Sequence, residues 1–155
     1  MLTLRQYWST IQGVLAEKNC YTPEQFELWI YNYKYFKQFM ILRDKCWEKL
    51  HSYPGSDDIA ISYMDIGDCL GCAYKSLQLV IINPFHLLCM PDFIIENIIP
   101  HEYCHIMMDD YEGHSKDFFN YFELVTGRKH PPMDCSQVMS RAECKYHLEV
   151  VRSRI

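Results

Sequence analysis

Residues 98–105 read Ile-Ile-Pro-His-Glu-Tyr-Cys-His, which contains a HExxH motif, and Gly113-His114 follows after a short polar segment. Residues i and i+4 of a helix share one face, so His101 and His105 can point at one metal ion. Glu102 lies next to that face, where its carboxylate can act on a metal-bound water. His114 follows closely enough to return as a third ligand. The motif therefore predicts a one-metal site that hydrolyses peptide bonds.

Apolar sequence surrounds the motif, at residues 93–99 before it and 106–108 after it. A zinc site is expected on such a half-buried helix, because an apolar shell holds the ligands in place. The polar segment 109–113 ends in glycine, as helices often do. His114-Ser115 then opens a second helical pattern, whose core-spaced residues are Phe118, Phe119, Phe122 and Val125. The alternative is a solvated helix that carries two histidines by chance.

The composition is that of one folded domain. A chain of 155 residues, of which 49% are hydrophobic and 15% aromatic, can bury a core and is not disordered. The N-terminal residues Met1–Ser9 are polar, so no signal peptide is predicted. The longest apolar run, Leu77–Met90, is interrupted by Asn83, Pro84 and His86, so we expect no membrane association. We therefore expect a cytoplasmic, non-secreted protein whose eight cysteines are reduced.

Charge is segregated along the chain, within an overall net charge of −5. Residues 1–52 carry +2, residues 53–127 carry −10 and residues 128–155 carry +3. The acidic middle segment, which contains the motif, suits a divalent cation and disfavours a nucleic-acid backbone. Any DNA would therefore have to contact the ends of the chain. A solvated tail is the preferred interpretation of the basic C-terminal residues.

The N-terminal residues 1–52 are predicted to form a helical part that packs on the catalytic core. A stripe of apolar residues indicates a helix at Leu2–Lys18. A Thr-x-x-Gln capping box at Thr22–Gln25, with proline in the first turn, starts a helical pattern that continues to about His51. Tyrosines at positions 31, 33 and 35 form a base-stacking surface in one interpretation. Packing of these aromatic side chains by the helix is the preferred one.

Short strands are predicted between these helices and the motif. The β-rich segments are Ile59–Met64, Cys72–Lys75 and Leu77–Asn83. Pro91-Asp92 opens the motif helix, and Pro100 inside it predicts a kink that costs about 3 kcal/mol in a regular helix interior. This order of elements predicts an α+β fold with N-terminal helices, a small three-stranded sheet and a HExxH active-site helix.

Other metal-binding residue types occur outside the motif. Cys69-x-x-Cys72 has redox or zinc spacing, but a second pair is missing. Small turn residues are therefore the preferred interpretation of these two cysteines. His51, His86 and His130 are predicted to be surface or hydrogen-bonded polar residues.

Four segments occur in a characteristic order and spacing over roughly residues 55–130. They are Gly71-Cys72-Ala73-Tyr74, Ile82-Asn83-Pro84, Ile98-Ile99-Pro100-His101-Glu102 with Cys104-His105, and Gly113-His114-Ser115 with Phe118. Together they resemble the SprT-like (SprT/Spartan-type) family of zinc metallopeptidases. The resemblance implies a zincin-like core, a minimal metallopeptidase domain, at residues 53–130.

The resemblance also implies that one Zn²⁺ ion is bound by His101, His105 and His114, with Glu102 as the general base. Three neutral imidazoles leave a fourth position for water, as in catalytic zinc sites. Zinc lowers the pKa of that water, and Glu102 takes its proton. The implied substrate is a protein or peptide. The strand Leu77–Ile82 is a candidate edge along which it lies extended.

The C-terminal part departs from the family pattern. Family members usually end in a zinc ribbon with two cysteine pairs. Here residues 131–155 form a C-terminal tail that looks like a remnant of the ribbon, with Cys135, Cys144 and His147 but no second pair. Whether these three residues bind a second metal stays open. Residues 1–33 have no clear counterpart in the family.

These observations predict a zinc-dependent metalloendopeptidase, and the resemblance points to DNA-associated proteins as substrates. The acidic middle segment and the missing ribbon weaken that DNA association. A second hypothesis is a non-proteolytic binding or regulatory protein that keeps the zincin scaffold with a structural zinc. The intact Glu102 argues against it, because a purely structural site does not need this carboxylate. A third is a peptidase that cuts one specific partner protein. The oligomeric state is not predicted.

Overall fold

The computed structural model describes residues 20–108, 113–132 and 138–153, with side chains to residue 150. These residues form an α+β fold in which helices pack around a small mixed sheet. The helix predicted at Leu2–Lys18 lies outside the described residues. Within the described part of the chain, no helix combines the length and the apolarity that crossing a membrane requires.

Helix α1 (Pro23–Asn32) starts at the predicted capping box. The Thr22 hydroxyl accepts a hydrogen bond from the Gln25 backbone N–H at 3.2 Å, and the Gln25 side chain accepts one from the Thr22 N–H at 2.9 Å. Two donors that the start of a helix leaves unpaired are thereby satisfied. The inner face of α1 buries Phe26 and Ile30 in the core.

The prediction of one continuous helix to His51 is wrong, because the chain breaks and restarts as α2 (Phe36–His51). Lys34 adopts a left-handed conformation, with φ 60°, after the end of α1. The break lets Tyr33 and Tyr35 both stack on Trp29, with ring centroids 5.0 and 5.9 Å away. These two tyrosines therefore pack within the protein, as the preferred interpretation has it.

The predicted strands are confirmed as β1 (Ala60–Tyr63), β2 (Gly71–Tyr74) and β3 (Leu79–Ile82). The sheet order is β1-β3-β2, with β1 parallel and β2 antiparallel to β3. All four residues of β3 are buried, which explains their unbroken apolar sequence. The hypothesis that substrate pairs with the strand at Leu77–Ile82 is wrong, because β3 is the central strand. The edges of the described sheet are β1 and β2.

A π-helical segment precedes the motif helix. One turn at Pro91–Phe93 and the π-helical residues Ile94–Ile98 lead into α4 (Ile99–Met107). Pro100 is thus the second residue of α4, where its missing N–H removes no hydrogen bond within that helix. The change from π-helical to α-helical hydrogen bonding thus falls next to the proline, at the position of the predicted kink.

Two further helices follow the motif, α5 (Lys116–Thr126) and α6 (Arg141–Ser153). Helix α6 packs against α3 (Pro84–Cys89), and its residues Cys144 and Leu148 belong to the hydrophobic core. Much of the basic C-terminal segment is therefore a packed helix, which corrects the interpretation of a solvated tail.

A buried ion pair joins α6 to the rest of the fold. The Arg141 guanidinium donates to Asp65 Oδ2 from Nη2 at 2.8 Å and from Nε at 3.1 Å. The Asp65 carboxylate is fully buried and also accepts backbone N–H groups of Tyr21 at 2.7 Å and Gly67 at 3.1 Å. The guanidinium lies 4.9 Å from the ring centroid of Tyr21 and 5.1 Å from that of Phe85. One carboxylate thus connects three distant parts of the chain.

Candidate metal centre

Helix α4 and the residues just before α5 bring the three predicted histidines together. His101 and His105 lie on α4, and His114 lies two residues before α5. The Nε2 atoms are 3.2 Å apart between His101 and His105, 3.1 Å between His105 and His114, and 2.9 Å between His101 and His114. In the described part of the chain, these residues are the one group of three or more metal-ligating side chains close enough to hold one ion.

The spacing of these nitrogens fits a tetrahedral metal ion. Zn–N bonds of about 2.0–2.1 Å place the ligand nitrogens about 3.3–3.4 Å apart, slightly more than the 2.9–3.2 Å observed. Burial, with the neighbouring histidines, lowers the pKa of His101 to about 2, so its imidazole is neutral and can be a ligand. Three imidazoles suit zinc and other divalent transition metals. The cluster could therefore hold a metal ion.

Local sequence positions the third histidine. Gly113 adopts φ 81°, a conformation that favours glycine, and turns the chain directly before His114. The Ser115 hydroxyl caps α5 by accepting a hydrogen bond from the Phe118 N–H at 3.2 Å. His101 is buried, whereas His114 is exposed, so the cluster reaches the solvent at His114.

The ring of Phe118 packs against all three histidines. Its centroid lies 4.9 Å from that of His101, 4.5 Å from His105 and 5.2 Å from His114. Phe118 is completely buried, because α5 packs against α4 at this point. The predicted aromatic core position of α5 therefore supports the three imidazoles directly, as expected of an apolar shell around a metal site.

A fourth histidine, His130, contacts the cluster from behind. Its Nε2 lies 2.7 Å from Nδ1 of His101, and its Nδ1 lies 2.6 Å from the carbonyl oxygen of Pro131. Burial lowers the pKa of His130, which favours its neutral form. The prediction of a hydrogen-bonded polar residue is confirmed, but its contact with His101 has no signal in the sequence. The two residues are 29 positions apart, and no ligand spacing relates them.

Glu102 is buried next to the cluster on α4. Burial raises the pKa of its carboxyl group to about 8. Burial, with a smaller contribution from the Glu102 carboxylate, also raises the pKa values of the Cys72 and Cys104 thiols to about 12. Glu102 is not a member of the group that could hold an ion. Its carboxyl group is therefore not one of the candidate ligands.

His51 and His86, which were also predicted to be surface or hydrogen-bonded polar residues, differ in how many of their ring nitrogens have hydrogen-bond partners. The ring nitrogens of His51 lie 2.8 Å from the carbonyl oxygen of Trp47 and 2.9 Å from that of Ile59, which confirms a hydrogen-bonded residue. Nε2 of His86 lies 2.9 Å from the Met139 carbonyl oxygen, but its Nδ1 is buried without a hydrogen-bond partner among the described residues.

The cysteines with metal-ligand spacing form no cluster in the described part of the chain. Cys69 is exposed at the turn before β2, and Cys72 is half-buried on that strand. Cys144 is buried in the core and His147 is exposed, so the two do not share an environment. Cys135 lies outside the described residues.

Comparisons with protein-family models, curated proteins and solved structures find no match to this chain.

Proposed function

We propose that the protein is a zinc-dependent metallopeptidase with a zincin-like core of the SprT type. The observation that carries this proposal is the convergence of three imidazole Nε2 atoms within 3.2 Å of one another, beside a buried carboxyl group. Three histidines leave a fourth position on a tetrahedral ion, which is typical of catalytic zinc sites, whereas structural sites are closed by four protein ligands.

Different residues of the chain would have different roles in peptide hydrolysis. His101, His105 and His114 would hold the ion, which supplies an activated water and polarises the scissile carbonyl group. Glu102 would accept a proton from the attacking water and return it to the leaving amine. Its buried position suits this exchange, because surroundings that exclude water disfavour the free carboxylate and so promote its uptake of a proton.

The proposed substrate is an extended polypeptide that pairs with β2, an edge strand of the described sheet. Strand β2 lies against α4, the helix that carries two of the three ligands. Gly71 also brings β2 close to the π-helical segment before α4, since a Cβ atom there would come within 2.9 Å of the Ile98 side chain. Peptides carrying a single N-methyl group should be cleaved slowly when the group removes a hydrogen bond to β2. Equal cleavage of every N-methylated peptide would argue against this binding mode.

Proteins associated with DNA are one proposed class of substrate, on the sequence resemblance. The net charge of −10 over residues 53–127 opposes direct contact between the core and DNA. Cleavage of a DNA-binding protein should therefore be compared with and without single-stranded DNA. If cleavage does not depend on DNA, the protein is a peptidase of another substrate range.

The test of the proposed function combines metal content with cleavage. Purified protein should contain about one zinc per chain and should cut an unfolded protein substrate. Glu102→Gln should keep the metal and lose cleavage by at least about 100-fold, as expected for a general base. Glu48→Gln, which changes an exposed glutamate on α2, is the matched control and should cleave normally.

The outcomes separate the hypotheses. Bound zinc without cleavage that depends on Glu102 would favour a binding or regulatory protein built on a structural metal site. Glu102-dependent cleavage of a single partner protein, and of no unfolded substrate, would favour a specific regulatory peptidase.

A further inference from the structure

A chain of two hydrogen bonds leads from the metal cluster to the backbone of the segment after α5. Nδ1 of His101 lies 2.7 Å from Nε2 of His130, and Nδ1 of His130 lies 2.6 Å from the carbonyl oxygen of Pro131. Both distances are short enough for hydrogen bonds. This series of hydrogen bonds begins at His101, which is the most deeply buried of the three candidate ligands.

The last acceptor in this series of hydrogen bonds is the carbonyl oxygen of Pro131, and it determines which nitrogen donates in each bond. A carbonyl oxygen can only accept, so Nδ1 of His130 must carry the hydrogen. The Nε2 atom of a neutral His130 then has a free lone pair and accepts the hydrogen on Nδ1 of His101. Nε2 of His101 is consequently unprotonated, and it is this atom that faces His105 and His114.

The ring of His130 is held in place from several sides. Its centroid lies 4.5 Å from that of Phe122 and 5.1 Å from that of Phe119, both on α5. Two residues earlier, the Arg128 guanidinium donates to Asn97 Oδ1 at 2.7 Å and to the Glu96 carbonyl oxygen. The segment that carries His130 is thus attached to the π-helical turn from which α4 begins.

We infer that His130 is a positioning residue, which fixes the tautomer and ring orientation of His101 so that Nε2 of His101 is presented to a metal ion. A histidine ligand whose second nitrogen donates to a fixed acceptor is oriented before the metal arrives. The inference rests on the metal site proposed above, but it does not depend on peptidase activity.

Two substitutions of His130 separate its hydrogen bond from its volume. His130→Leu fills similar space without an acceptor and should weaken zinc binding by about 10–100-fold, as measured against a competing chelator. His130→Gln places an amide oxygen near the position of Nε2 and should recover most of that loss. His51→Leu, at a histidine bonded only to backbone carbonyls, is the control and should leave affinity unchanged. Equal affinity of His130→Leu and the wild type would overturn the inference, as would equal losses in the Leu and Gln variants.

The tautomer of His101 gives a second readout that requires neither activity nor metal. In ¹⁵N–¹H spectra of the metal-free protein, His101 should carry its proton on Nδ1, and His130→Leu should change this preference. A proton on Nε2 of His101 in the wild type would overturn the inference. Failure of the wild type to bind zinc would instead refute the metal site, and the tautomer measurement would still decide the role of His130.

Discussion

Metal binding should release a proton from Glu102, and Glu102→Gln should remove that release. In the metal-free protein, burial raises the pKa of this carboxyl group to about 8, so about 90% of the molecules are protonated at it at pH 7. A dication nearby favours the ionised carboxylate. The wild type should therefore release about 0.9 more protons than the variant at pH 7, about 0.5 at pH 8 and about 0.1 at pH 9.

Isothermal titration calorimetry measures this difference directly. Zinc is titrated at each pH in buffers with different enthalpies of ionisation, and the slope of the apparent enthalpy counts the protons released. Protons from the other groups cancel when the variant is subtracted, because Gln keeps the shape of Glu without the carboxyl group. Glu48→Gln should release as many protons as the wild type. A difference below about 0.2 protons at pH 7, or one that does not fall towards pH 9, would refute the argument that burial keeps Glu102 protonated until the metal binds.

Three further predictions concern stability. Asp65→Asn should lower the free energy of unfolding by about 3–5 kcal/mol in urea denaturation, because it leaves the Arg141 guanidinium without its buried partner; a loss below about 1 kcal/mol would contradict this. Phe118→Ala should cost about 3–5 kcal/mol and weaken zinc binding, whereas Leu124→Ala, at a side chain 79% exposed on the same helix, should cost less than about 0.5 kcal/mol. The metal-free protein should lose stability as the pH falls below about 6.5, because burial lowers the pKa of His86 in the folded state. Below that pH the unfolded chain binds a proton at His86 that the folded state does not bind, which favours unfolding. His86→Gln should reduce this loss between pH 7.5 and 5.5, and an unchanged pH dependence would show that other groups cause it.

Much of the local structure could be predicted from the sequence, because it depends on neighbouring residues. The capping box at Thr22 and the hydroxyl cap at Ser115 are formed within four residues of chain. The spacing of His101 and His105 places both on one face of a helix wherever that helix lies. Even the position of His114 follows from a glycine turn and a helix start next to each other.

The errors have a common physical cause, which is that packing between distant segments decided the outcome. Nothing local in the sequence distinguishes β3 as the central strand, because its place depends on which segments pair on either side. The break at Lys34 is stabilised by the stacking of two tyrosines on Trp29. The C-terminal helix packs on the rest of the protein with the help of an ion pair between Arg141 and Asp65, which lies 76 positions earlier in the sequence.

The candidate ligands follow from local sequence, since a five-residue motif, a glycine turn and a helix cap specify three histidines through short-range geometry. The surroundings of these histidines depend on how distant segments fold together. The tertiary structure brings Phe118 beneath all three rings and His130 against the rear of His101. The pKa of Glu102 also depends on the tertiary structure, because the residues that exclude water from its carboxyl group come together only on folding. The spacing of residues along the chain thus determines which histidines are candidate ligands. The packing of the core determines how their rings are oriented and which groups of the site are protonated.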